Sequence, residues 1–223
     1  MNTIIAEALA ASDIIYWGKY VGSLGIPFPC WTDSRRVMAN PKSMVAIGRE
    51  LTRLVQEWSV DLVAGAATAG IPFATAVSLQ AQLPMIYVAK EVKTYGNKSA
   101  IQGLFKRGQN VVLIDDASGN GSTKQAYCEQ LLAEGLVLKH VVVLIGFGQT
   151  IIPWYREHGV EFHELVQFYE LMDYLKETGR LSSQLHGFVR NMYQLEDFKR
   201  TWNEAYWQKF LAQVKKEGID YVM

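Results

Sequence analysis

Residues 111–123 of this 223-residue chain read VVLIDDASGNGST, and they constrain the fold more than any other stretch. A short continuous run of Val, Leu and Ile is the pattern of a strand buried on both faces, as in parallel sheets. The run ends in two adjacent carboxylates, Asp115 and Asp116. It then passes through Ala117, Ser118, Gly119, Asn120 and Gly121 to Ser122, Thr123 and a helix-like segment. Ligands of open parallel sheets gather at the carboxyl ends of strands, and a Gly-rich turn before a helix aims N–H groups at an anion. Phosphate donors beside carboxylates that can accept from sugar hydroxyls suggest a ribose-phosphate site. The plain alternative is a strand–turn–helix in which Asp116 or Ser118 caps the helix.

Two other phosphate signatures fail. A P-loop needs Gly-Lys-Ser/Thr, whereas Gly121-Ser122-Thr123-Lys124 has the wrong order. The dinucleotide fingerprint needs a third Gly where Lys124 stands, which disfavours a nicotinamide-dependent oxidoreductase.

Around this motif, apolar spacing predicts a first helix over residues 3–16 and an irregular or short-stranded stretch over 18–31. Asn40-Pro41 is a helix start, and helices follow at 71–80 and 122–134, the last stopped by Gly135. Strands are expected at 61–65, 85–89, 111–115, 140–145 and 161–166, with a polar, mobile stretch at 91–103. Such alternation implies an α/β fold, a parallel sheet flanked by helices with right-handed crossovers. Leu195, Phe198, Trp202, Ala205, Tyr206, Phe210 and Val214 form one helical stripe, read as packing on its own domain rather than as an oligomer contact. The chain is expected to be a single domain, with an N-terminal hood (1–40), an α/β core (41–166) and a C-terminal helical extension (167–223).

Charge excludes several partners. Lys+Arg and Asp+Glu both number 22, so nothing points to nucleic acid or an anionic membrane, and any anion site must be local. Only Cys30 and Cys128 are present, which suits a reducing cytoplasm. His140, His158, His163 and His186 are scattered without metal-ligand spacing, so no protein-only metal site is expected. The opening 16 residues lack the basic start of a signal peptide, and no apolar run is long enough to span a bilayer.

The motif VVLIDDASGNGST resembles the phosphoribosyl-pyrophosphate (PRPP) motif of type I phosphoribosyltransferases, and other segments resemble the orotate phosphoribosyltransferase branch. DLVAGAATAGIP (61–72) is similar to its pyrophosphate loop, LPMIYVAKEVKTYGNKSAIQG (83–103) to its lysine-bearing mobile loop, WGKYVGSLGIPFPCWTDSRR (17–36) to its N-terminal segment, and HELVQFYELMDYLKETG (163–179) to its C-terminal part. The resemblance implies transfer of a phosphoribosyl group from PRPP to orotate, with Mg²⁺ held mainly through PRPP, in a cytoplasmic homodimer whose sites are shared across the interface. It assigns Asp115 and Asp116 to the ribose hydroxyls, residues 117–123 to the 5′-phosphate, and Ala67, Thr68 and Ala69 to pyrophosphate. Lys93 becomes the catalytic lysine reaching the partner's site, with Lys90 and Tyr95 as further PRPP contacts. Without the resemblance, these lysines read as solvated surface charge and residues 67–69 as an ordinary βα turn.

Departures cluster where the base belongs. Ser23 stands where the family carries Lys, Ala89 where it has Arg, Tyr95 where it has His, and Asn120 where it has Thr. Gly146-Phe147-Gly148 replaces an Asp-Arg pair whose Arg meets orotate's carboxylate. Ser23, Trp31, Thr32 and Asn120 are left as candidate base contacts, with nearby Lys19 or Arg35 as substitute cations. Two other readings therefore stand beside orotate transfer: a homologue using a different base, and a non-catalytic PRPP-binding regulator. The absence of any DNA-binding module argues against a transcription factor of this fold.

Overall fold

The computed structural model describes residues 1–21, 27–89, 99–194 and 203–222. The chain divides into two compact units, one of residues Met1–Ser12 and Ser34–Phe168, the other of Asp13–Asp33 and Tyr169–Met223.

The first unit is built on a six-stranded sheet of order β5-β4-β3-β6-β7-β8. Its strands are β3 (Leu62–Ala66), β4 (Met85–Val88), β5 (Ile101–Gln102), β6 (Asn110–Ser118), β7 (Val137–Gly146) and β8 (Glu161–Gln167). All neighbours are parallel except β4 and β5, which run antiparallel. The sheet is therefore mixed at one edge, and Ile101–Gln102 is a strand inside the stretch expected to be mobile. Val111, Val112, Leu113 and Ile114 are each 2% exposed or less, as the apolar run required. Helices α1 (Thr3–Ala10), α2 (Pro41–Glu57), α3 (Gly70–Ala81), α4 (Ser122–Ala133) and the short α5 (Trp154–Glu157) belong to the same unit. Asn40 caps α2 by accepting the Ser43 N–H at 3.3 Å, with Pro41 in the first turn.

Helix α1 is shorter than predicted. It ends at Ala10, and Asp13 turns the chain with a φ of 48°. Ile15–Val21 then becomes strand β1, because its β-branched and aromatic residues suit a pleated surface as well as a helical one.

In the second unit, β1 pairs antiparallel with β2 (Pro27–Thr32) and parallel with β9 (Tyr221–Val222). Helices α6 (Phe168–Glu177, its first residue in the other unit), α7 (Ser183–Gln194) and α8 (Glu204–Lys216) complete it. Helix α8 corrects the long stripe: Asn203 is its extended N-cap, so a single helix does not run from 195 to 214. Trp207, Phe210 and Val214 are buried within the unit, Phe210 6.3 Å from Trp17 and 5.6 Å from Phe188 (ring centroids), while Ala205 is exposed. Leu195, Phe198 and Trp202 lie outside the described residues. Among the described residues no helix is long and apolar enough to cross a membrane.

Candidate active site

The sheet order contains a reversal. From β3 the chain moves outward to β4 on one side, then returns to β6 on the other side and continues to β7 and β8. The loops leaving β3 and β6 at their carboxyl ends therefore flank a switch point, where open α/β sheets form their ligand crevice. Residues 67–69 and 119–121 are those two loops, with Asp115–Ser118 at the carboxyl end of β6 and Ser122 at the start of α4.

Two contacts tie the loops together. The Tyr127 hydroxyl on α4 donates to the Ala67 carbonyl at 2.9 Å. Gly70, at the start of α3, passes so close to β6 that a Cβ there would strike the Ile114 carbonyl and come 3.1 Å from Asp115 Oδ1. The Ala67–Thr68 peptide is cis.

The turn after β6 is held from within. Gly121, at φ 83°, is the N-cap of α4 with no side-chain capping bond, so neither Asp116 nor Ser118 caps the helix. Instead Ser118 Oγ accepts the Gly121 N–H at 3.2 Å and Asn120 Oδ1 accepts the Ser122 N–H at 3.1 Å. The Tyr155 hydroxyl donates to the Gly121 carbonyl at 2.6 Å, and its ring fills the space a Cβ on Gly121 would need.

Both carboxylates are engaged by residues the sequence did not single out. Lys124 Nζ lies 2.7 Å from Asp115 Oδ2, with side chains 11% and 7% exposed, and the Asp116 N–H donates to Asp115 Oδ1 at 2.9 Å. Burial raises the Asp115 carboxyl to about 6, against the opposing pull of Lys124. Ser34, itself buried at the start of a short 3-10 helix, donates its hydroxyl to Asp116 Oδ2 at 2.5 Å. Burial, with Asp115 and Asp116 nearby, also raises the Tyr127 phenol.

The remaining sequence candidates are spread more widely. Phe147 leaves β7 beside this turn: its N–H donates to the Ser118 carbonyl at 3.1 Å and its ring lies 5.6 Å from Phe168. Trp31, 47% exposed, and Thr32 belong to β2 of the second unit, Trp31 with its ring 6.3 Å from Tyr20. Lys19, in the same unit, sits 3.6 Å from Glu204 and 5.5 Å over the Trp207 ring, so its charge has local partners. Ser23, Lys90, Lys93 and Tyr95 lie outside the described residues.

Two of the four scattered histidines meet in the fold. His140 and His163 face one another across β7 and β8 beside Glu161, and burial lowers the pKa of both imidazoles.

Known proteins share this framework. Residues 34–163 match the family described as the phosphoribosyl transferase domain. The chain is similar to the orotate phosphoribosyltransferase of Staphylococcus haemolyticus, 31% identical over 182 residues that cover 80% of this chain and 88% of that protein. It is similar to the bifunctional enzyme PyrF/PyrE of a Nostoc species, 28% identical over 172 residues, 77% of this chain but only 36% of that one. Leishmania donovani UMP synthase superposes with a TM-score of 0.75 at 28% identity, covering 86% of this chain and 42% of that one. The chain thus spans well under half of these last two relatives.

Proposed function

The chain belongs to the phosphoribosyl transferase domain family, in its orotate phosphoribosyltransferase branch, and from that premise we propose that it transfers the phosphoribosyl group of PRPP to orotate, forming orotidine 5′-monophosphate and releasing pyrophosphate. One observation carries the reading. Asp115 and Asp116, at the carboxyl end of β6, and the 67–69 loop flank the switch point of the sheet, and Tyr127 of the helix that follows β6 donates to that loop.

In this reading the N–H groups of Gly121 and Ser122, with the Ser122 and Thr123 hydroxyls, receive the 5′-phosphate, displacing Ser118 Oγ and Asn120 Oδ1. Asp115 and Asp116 accept hydrogen bonds from the ribose hydroxyls, one oriented by Lys124 and the other by Ser34. The small residues Ala67, Thr68 and Ala69 let the backbone approach pyrophosphate. As the ribosyl–oxygen bond to pyrophosphate breaks, a bond to a ring nitrogen of the base forms and the proton that nitrogen carried passes to solvent. Lys93 and Lys90, assigned through the resemblance of their segment, supply positive charge to the departing pyrophosphate, where fixed cations stabilise the transition state most.

Mg²⁺ fits this donor set as an ion carried by PRPP. Lys124 and Ser34 already engage the two carboxylates, which makes neither a ready ligand in a protein-only site. When bound, the ion supplies further neutralisation of pyrophosphate, with water filling its other positions. The family resemblance extends the proposal to a homodimer with shared sites. The free, buried Cys30 and Cys128 suit a cytoplasmic location.

A second reading has its own observation. Phe147 stands where the branch has an Arg, and its ring packs near Phe168, so this position supplies no charge to orotate's carboxylate. A base without that carboxylate would lose nothing there.

Calorimetry with PRPP and Mg²⁺ tests the assignment. The wild-type protein is expected to bind, and the double variant Asp115→Asn/Asp116→Asn to bind far more weakly, because amides replace acceptor-only carboxylates. Unchanged affinity in that variant would refute it.

A further inference from the structure

Toward the amino ends of β7 and β8 lies a cluster that the phosphoribosyl chemistry does not use. His140 is in register with Glu161, and Val142 with His163. Glu161 and His163 are two apart on one strand and so project from the same face. Val143 of β7 opposes Asp115, which puts His140 three residues, or about 10 Å, short of that carboxylate along the strands.

The three donor atoms form a compact triangle. His140 Nδ1 is 3.2 Å from His163 Nε2, and Glu161 Oε2 is 3.7 Å from the first and 3.5 Å from the second. A tetrahedral ion with ligand bonds of about 2.0–2.1 Å holds its donors about 3.4 Å apart. Each edge of the triangle is within a few tenths of an ångström of that spacing. Trp58, at the carboxyl end of α2, stacks on both rings, 4.3 Å from His140 at 13° and 4.6 Å from His163 at 24°. That contact holds the ring planes in place before any ion arrives. Glu161 is 71% exposed, which leaves a path in from solvent and room for a fourth ligand.

We propose that His140, His163 and Glu161 bind one zinc(II) ion per chain, with water in the fourth position. Two imidazoles and one carboxylate select a borderline transition metal over Mg²⁺, which prefers an all-oxygen shell. The ion would clamp the edge strand β8 to β7, and it needs neither PRPP nor turnover.

The test uses tag-free, full-length protein stripped with a chelator and titrated with zinc(II) alone by calorimetry, with cobalt(II) as a spectroscopic probe. Wild type is expected to bind one ion per chain, give the intense visible bands of tetrahedral cobalt, and unfold at a higher temperature when loaded. Glu161→Gln, on an exposed side chain, should weaken binding by about tenfold or more, and His163→Gln should abolish the one-per-chain stoichiometry. Asp115→Asn/Asp116→Asn should bind zinc as wild type does, which separates this site from the PRPP site. Absence of stoichiometric binding in wild type would overturn the proposal. Equal affinity in both Glu161→Gln and His163→Gln, or loss of the ion in the Asp115/Asp116 variant, would do the same.

Discussion

Replacing Lys124 by Met removes the cation that, among the described residues, pairs with Asp115. Among the described residues, the groups facing that carboxyl include Lys124 and Tyr127 from α4, Asp116 beside it on β6, and the backbone at Gly70. Burial already lifts Asp115 from its ordinary 3.8 to about 6, a shift of about 2 units that costs folding about 3 kcal/mol once the group is ionised. Because the folded pKa is raised, protonation favours the folded state. That cost is fully present above about pH 6 and is relieved as the pH falls toward 4. Without the ammonium at 2.7 Å, only the Asp116 N–H still opposes burial and the Asp116 charge, and the pKa rises further. Breaking a buried pair from one side costs about 3–5 kcal/mol, limited here because the carboxyl can take up a proton instead. Lys124→Met is therefore expected to lose stability most at pH 8 and least near pH 5. The acidic limb of its kcat/KM for PRPP should move to higher pH, and Lys124→Arg should restore it in part. Urea unfolding across that pH range, together with a pH–rate profile, measures both. An acidic limb in Lys124→Met that coincides with wild type would refute the argument that this pair keeps Asp115 ionised.

Three further outcomes follow from the same site. Ser34→Ala leaves Asp116 Oδ2 without its hydroxyl donor, and the loss of a hydrogen bond to a charged group should cost about 1.5–3 kcal/mol, read as a raised KM for PRPP and lower stability. Lys93→Ala should lower kcat far more than PRPP affinity, and mixing it with Asp116→Asn subunits should restore some activity. A mixed dimer with no activity would contradict shared sites. Phe147→Arg should raise kcat/KM for orotate over uncharged bases, by about tenfold for one added charge-assisted contact, and steady-state kinetics on both bases would show no such preference if this position does not face the base.

The sequence displayed the framework more clearly than the contacts within it. The Val111–Ile114 run, the Asn40-Pro41 helix start and the Gly-rich turn are local signals, and each appears where its chemistry requires. The end of α1 was not legible, since Ile14, Ile15 and Tyr16 continue the helical apolar spacing with no Gly or Pro to stop it. The partners of the carboxylates were hidden for a different reason. Ser34 is 82 residues from Asp116, and Lys124 in a first helical turn reads as solvated charge until the fold buries it against Asp115. The same holds for His140 and His163, 23 residues apart, which meet only because β7 and β8 are neighbours in this register.

Product formation with orotate tests the central claim most directly. Purified protein incubated with PRPP, Mg²⁺ and orotate should release pyrophosphate and form orotidine 5′-monophosphate in equal amounts, with no turnover when PRPP is omitted and little in Asp115→Asn/Asp116→Asn. PRPP binding without pyrophosphate release, for orotate or any other base offered, would contradict it and leave a protein that holds the phosphoribosyl donor without transferring it.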